Sequence, residues 1–434
     1  MIRLPALLLS AALLALPTAP AYAMDHVAWS RNANIYEVNV RQYTQEGTFN
    51  AFAQHLPRLK KMGVDILWLM PINPIGEKNR KGPLGSYYAV RDYTAVNPEF
   101  GTLDDLRKLV KQAHALGMRV IIDWVPNHTA WDHPWVTQHP DWYKKNAKGE
   151  IYAVTWNPDS PNPEYWTDVV GLDYSNKDLW AGMIEAMSYW LREADIDGFR
   201  CDVAGNLPTP FWNEARQKLD RVKPVFMLAE SDKPELHAAA FDMTYGWDSG
   251  EIFKAIAKGK ADASALKAFI EQPKLVFPAD AYRMRFTSNH DWNSWEGSDV
   301  ELYGPAAPAM AVLAATLPGM PLVYGGQEGK LDKRIEFFQK DPIDWKGYPL
   351  AGFYAQLLKL KHANPALWNG QYGAKAEVLP TDNSKVFAFR RQKDKNVVTV
   401  AVNLSGTAQR VALPGRTRPL ELPAWGHHID AKSR

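Results

Sequence analysis

The chain has a single cysteine, Cys201, in 434 residues. One thiol cannot form an internal disulfide, so the fold must be held by burial of a core. Neither sign of charge is in excess: 50 basic side chains stand against 48 acidic ones, a formal net charge of +2. No phosphate-tracking surface is advertised, and nucleic acid is a poor partner for such a chain. Long hydrophobic runs are scarce as well. The apolar stretch Leu4–Leu16 is too short to span a bilayer. Arg3 precedes it and Ala21-Tyr22-Ala23 follows, a pattern that reads as a secretory signal cut after Ala23. The expectation is an exported protein, periplasmic or extracellular, with no membrane segment in its mature form.

Tryptophan is abundant. Seventeen indoles exceed what cores usually require, and flat aromatic faces are also what a protein offers to stacking ligands such as sugar rings. Five of them (Trp131, Trp135, Trp142, Trp156 and Trp166) fall in one irregular stretch. From about residue 33 to 330, short apolar runs alternate with amphipathic stretches. The runs are Asn34–Val40, Val64–Met70, Met118–Val125, Ile196–Val203, Val225–Glu230, Phe241–Tyr245, Arg283–Asn289 and Met320–Tyr324. A helix is expected from Thr48 to Met62-Gly63, and Thr102 with Asp105 resembles a capping box before another. Eight strands separated by helices imply parallel pairing and a closed (β/α)8 TIM barrel.

The Trp-rich stretch Asn127–Tyr174 is too long for an ordinary connection and reads as a subdomain inserted after strand 3. Beyond a last helix near Gly352–His362, short alternating strands with turn residues imply a C-terminal antiparallel β domain. The expected division is a signal peptide at 1–23, a barrel at 24–365 with an inserted subdomain at about 129–173, and a β-sandwich at 366–434.

Active sites of such barrels sit where the strands end. Four expected strand ends carry ionisable clusters: Asp123 to His128, Arg200 to Asp202, Glu230, and Asn289-His290-Asp291. One carboxylate at a strand end is usually a cap or a salt bridge. Several from different strands, with His and Arg beside them, burden folding unless they converge on a ligand.

These four segments, in this order, resemble the hallmark segments of the α-amylase family, glycoside hydrolase family 13. Gly85-Ser86-Tyr87-Tyr88 with Asp92-Tyr93, and Gly325-Gly326-Gln327-Glu328, look like further segments of that family. The resemblance implies Asp202 as nucleophile, Glu230 as general acid/base and Asp291 as transition-state stabiliser. It implies substrate-binding or site-positioning roles for Tyr88, Asp123, His128, Arg200 and His290, and contacts to a more distant sugar for Asp332 and Arg334. The implied substrate is an α-glucan, starch or maltodextrin, hydrolysed at α-1,4 bonds with retention. An oligosaccharide-specific α-glucosidase or a transglycosylase of the same family is the alternative, and a non-catalytic sugar-binding relative a third reading.

The implied chemistry needs no cofactor. Many members of the family bind a structural Ca²⁺ through an Asn of the first segment and a His four residues after the nucleophile. Here Asn127 is present, but Asn206 replaces the His and Gly205 replaces a Lys that contacts sugar, so calcium and leaving-group contacts both depart from the pattern. Cys201 lies between Arg200 and Asp202, so strand alternation should turn its side chain away from theirs, into packing.

Overall fold

The computed structural model describes residues 25–433. The expected signal peptide lies outside them. Eight parallel strands close a barrel: β1 (Ile35–Val38), β2 (Ile66–Leu69), β3 (Arg119–Trp124), β4 (Gly198–Cys201), β5 (Phe226–Ala229), β6 (Met243–Tyr245), β7 (Tyr282–Arg285) and β8 (Met320–Tyr324). They neighbour one another in sequence order, and β8 returns to pair with β1. Ile35, Ile66, Ile121, Phe226, Met243 and Met284 pack a buried cluster among the strands, so the barrel is a filled core and not a pore.

Two expectations about local structure need correcting. The helix expected from Thr48 to Gly63 is two helices, Phe49–Ala53 and Leu56–Met62. Pro57 has no N–H to donate, and its ring would clash with the carbonyl four residues earlier, so the chain breaks before it and restarts. The seventh strand ends at Arg285, four residues short of Asn289. The residues beyond it turn into the site, where Asn289 Oδ1 accepts the Trp292 N–H at 2.8 Å. The capping box of Thr102 and Asp105 forms as its spacing implies and opens helix Leu103–Ala115.

Two irregular connections build the wall above the barrel. Between β2 and helix Leu103–Ala115, Asn73 Nδ2 donates to the carbonyls of Asp92, Tyr93 and Ala95, and so pins a loop that carries Tyr88. The insertion after β3 folds as a three-stranded antiparallel sheet of His128–Ala130, Ala153–Trp156 and Glu164–Gly171, the last strand in the middle. Tyr93 Oη donates to the carbonyls of Val125 and His128 and ties the two connections together.

The C-terminal region carries a four-stranded antiparallel sheet and a separate two-stranded ribbon. Val386, Ala388, Ala401, Val411, Leu413, Leu420 and Leu422 form a small core between them. Buried Arg391 joins this sheet to the barrel, donating to the carbonyls of Thr316, Leu317, Trp368 and Ala374. Among the described residues no helix is long and apolar enough to cross a membrane.

Candidate active site

The strand register delivers the first contact of the site. Asp123 on β3 lies directly opposite Arg200 on β4, and Arg200 Nη1 donates to Asp123 Oδ1 at 2.9 Å. Asp202, two residues further along the chain, returns to the same face and accepts from the same nitrogen at 2.8 Å. Glu230 follows the last residue of β5, and its Oε1 lies 2.8 Å from Arg200 Nη2. One fully buried guanidinium therefore holds three carboxylates from three adjacent strands. Cys201 is fully buried in the core, as the alternation requires.

The three acids are not equivalent. Asp123 has no exposed surface, and both its oxygens are engaged: Oδ1 by Arg200, Oδ2 by Trp68 Nε1 at 3.2 Å and Tyr88 Oη at 3.0 Å. Asp202 and Glu230 line a cleft of about 900 Å³ at the C-terminal ends of the strands. Glu230 Oε2 accepts the N–H of Val203 at 2.7 Å. Val203 is a β-branched residue at φ +47°, a backbone conformation that costs energy and recurs at functional sites.

Burial raises all three carboxyls, and Arg200 opposes it. Asp202 is held at about 6, with Asp123 adding to the rise. Glu230 is pushed higher, to about 7, because Asp202 and Asp291 add their repulsion to its burial. Asp202 therefore ionises before Glu230, an environment-driven division between an ionised carboxylate and a protonated one.

A second chain of contacts crosses from β1. Glu37, fully buried, accepts His290 Nδ1–H at 2.5 Å. His290 Nε2 lies 2.8 Å from Tyr88 Oη, which donates onward to Asp123. Burial pushes the His290 imidazole down, but Asp291, 3.3 Å from Nε2, and Glu37 outweigh it and hold the group at about 9. His290 is therefore a cation at neutral pH. His128 is the opposite case: burial lowers it to about 4, and the neutral ring has its Nδ1 3.1 Å from Asn127 Nδ2.

The expected site residues separate by position. Asp202, Glu230, Asp291, Tyr88, His128 and His290 all line the cleft. Asp123 and Arg200 lie beneath it with no exposed surface, so of the substrate-binding or site-positioning roles expected for them the geometry fits positioning. Asp332 and Arg334, expected to contact a more distant sugar, stand outside the cleft lining. Arg334 is turned to Glu301, with Nε 3.0 Å from Oε2, and Asp332 is exposed.

Several residues at or behind the cleft are not marked by the sequence. Glu37 stands inside an apolar strand, and a carboxylate at a fully buried strand position was the available signal. Lys233 lines the cleft, and its Nζ donates to the Gly205 carbonyl at 2.6 Å. Lys81, Trp247, Phe337 and Phe338 line it too, and nothing in their local sequence marks them. The indoles also divide. Trp156 and Trp166 stack at 5.3 Å and line the cleft with Trp292 and Trp295, whereas Trp135 and Trp142 pack against each other. Trp124 is buried in the core.

The donor set for calcium does not fit well. Asn127 has only its Nδ2 against His128 Nδ1, Asn206 is exposed at the cleft, and both are neutral amides that bring no charge to the ion. Among the described residues no cluster of three or more His, Cys, Asp or Glu is placed to hold an ion.

Comparison with known proteins agrees with this geometry. Residues 30–348 match the model of the α-amylase catalytic domain. The α-amylase MalA of Haloarcula japonica is 29% identical over 422 residues, 92% of this chain and 59% of that protein. The α-1,4-glucan:maltose-1-phosphate maltosyltransferase of Rhodospirillum rubrum is 30% identical over 413 residues, 85% of this chain and 56% of that protein. The chain thus spans a little over half the length of these curated relatives. Among solved structures, an α-amylase from Lactobacillus plantarum superposes with a TM-score of 0.83 at 31% identity, covering 93% of this chain and 99% of that one. A noncanonic maltogenic α-amylase, AmyB, from Thermotoga neapolitana gives 0.79 at 30% identity, covering 93% and 96%. With a closed barrel, three acids on one arginine at its strand ends and a family match over most of its length, the chain belongs to the α-amylase family.

Proposed function

We propose that the protein hydrolyses α-1,4-glucosidic bonds of starch or maltodextrins with retention of anomeric configuration. The observation that carries this is the pairing of Asp202 and Glu230 on one guanidinium in an aromatic-lined cleft, with Glu230 the last of the two to ionise. The glucosyl ring stacks on Tyr88, and His128 and His290 meet its hydroxyls. Asp202 attacks the anomeric carbon while Glu230 passes its proton to the departing oxygen, which leaves a glycosyl-enzyme ester. Glu230, now ionised, takes a proton from water, and that water displaces Asp202. Asp291, beside the His290 cation, offers negative charge to the oxocarbenium-like transition state.

Asp202→Asn and Glu230→Gln are each expected to lose at least about a thousandfold in turnover on a maltodextrin while remaining folded. Near-normal hydrolysis by either variant sinks the assignment, and inversion of the product anomer, read by NMR at early times, sinks the retaining mechanism. Transfer to a sugar acceptor is the second reading, favoured by the maltosyltransferase relative. Longer products appearing from a single maltooligosaccharide would support it. We further propose that the chain is exported through its N-terminal segment, which fractionation of cells producing the full chain tests directly.

A further inference from the structure

The side of the cleft on which each half of the substrate lies follows from the proton donor. Glu230 must protonate the departing oxygen, so the leaving part of the glucan lies toward the ends of β4, β5 and β6, beside Gly205, Lys233 and Trp247. The glycone, the part carrying the non-reducing end, lies toward Tyr88, His290 and the connections after β2, β7 and β8. That half is walled by contacts between connections that are far apart in sequence.

From the β2 connection, Lys81 Nζ donates to the Tyr165 carbonyl of the inserted sheet at 3.1 Å and lies 3.4 Å from Asp168 Oδ1. The next residue, Gly82, has φ +63°, and a Cβ there would meet Phe338 Cβ at 2.5 Å. Leu84 N–H donates to the Phe338 carbonyl at 2.9 Å. One short segment therefore touches the insertion on one side and the β8 connection on the other, across β1. From Phe338 the wall continues to Trp295 at 6.0 Å, and Phe337 lies nearly parallel to Tyr88 at 6.2 Å and 12°. Lys81, Tyr165, Asp168, Phe337, Phe338 and Trp295 all line the same cleft.

We infer that this wall closes the glycone end of the cleft, so that the enzyme takes α-glucan chains by their non-reducing ends and releases short products of fixed length. The inference rests on the hydrolase reading above and adds the direction and mode of attack. A chain running through the cleft would have to displace the Lys81–Asp168 pair or part Gly82 from Phe338. A chain end needs neither.

The test compares maltoheptaose with the same sugar carrying a bulky benzylidene acetal on its non-reducing terminal ring. The expected result is one short product from the first turnovers of the free sugar, and cleavage of the capped sugar slower by at least ~10-fold, the discrimination a shaped pocket supplies. In Phe338→Ala and Lys81→Ala the capped-to-free ratio is expected to rise toward one. That ratio is internal to each variant, so a variant of lower total activity still reports. Equal rates on both sugars in the wild type, with mixed product lengths from the start, overturn the wall and leave the hydrolase reading intact. A wild-type bias that neither substitution relieves overturns its assignment to these residues. No cleavage of the free sugar overturns the hydrolase reading itself.

Discussion

Replacing Arg200 by Gln removes the positive charge that Asp123, Asp202 and Glu230 share at 2.8 to 2.9 Å. Two unit charges ~4 Å apart interact by ~4 kcal/mol at an effective dielectric of ~20, and a neighbouring arginine typically depresses a carboxylate pKa by ~1–3. Asp202 titrates at about 6 with the arginine in place. Without it, at pH 6, the ionised fraction of the nucleophile should fall from about half to ~10% or less. The assay is kcat/KM against pH on a nitrophenyl maltooligoside. Nitrophenolate leaves without protonation, so the proton of Glu230 is not needed and the acid limb reports Asp202 in the free enzyme. That limb should move upward in Arg200→Gln. A limb that stays at its wild-type position refutes the claim that Arg200 keeps the nucleophile ionised.

Stability must follow the same charges. A carboxyl whose pKa is raised by folding holds its proton longer in the native state, so it favours folding at low pH and opposes it as pH rises through that pKa. Ordinary values of 3.8 and 4.5 in the unfolded chain against about 6 for Asp202 and about 7 for Glu230 in the fold place this loss between about pH 4 and 7 in the wild type. Breaking a buried ion pair costs ~3–5 kcal/mol, most of it the price of the unpaired charge. The melting temperature of Arg200→Gln should therefore lag the wild type most at alkaline pH and recover as pH falls and the acids take up protons.

On an unactivated maltooligosaccharide the wild-type rate should rise through about pH 6 and fall through about pH 7, as the coupled acids of the cleft ionise in turn; a broad plateau to pH 9 would contradict this. Glu37→Gln should lower the His290 pKa from about 9, read by NMR titration of the ring, and reduce kcat/KM by ~10–100-fold through loss of a charge-assisted hydrogen bond. Gly182→Ala should destabilise by ~1–3 kcal/mol, read by urea unfolding, with the pH profile unchanged, because a Cβ there would meet the Trp142 ring at 2.7 Å. A chelator should leave the melting temperature unchanged, and a drop restored by Ca²⁺ would reveal a site that Asn127 and Asn206 do not account for.

What could be read from the sequence follows from the physics of a parallel barrel. Strands buried on both faces must be apolar, so a run such as VIID that ends in charge stands out, and the site residues cluster where the runs stop. Asp202 and Glu230 were legible for that reason. Glu37 was not, because its carboxylate interrupts a run instead of ending it, and its partner His290 is 253 residues away. The alternation that places Asp123 and Arg200 inward also sends Trp124 into the core, although it adjoins the first acidic segment. Local pattern therefore separates inward from outward along a strand. It carries no information about loops, where Gly82 meets Phe338 by backbone approach across more than two hundred residues. The same limit explains the tryptophans. Trp142 and Trp166 stand in one insertion in similar company, yet Trp142, on the short turn Pro140–Trp142, packs against Gly182 of the helix that follows, whereas Trp166, on a strand of the inserted sheet, lines the cleft. Indole abundance thus pointed to a stacking ligand, while the choice of which indoles line the cleft was made by the element each stands on and by loop contact. Those are the features on which the direction of substrate entry now depends.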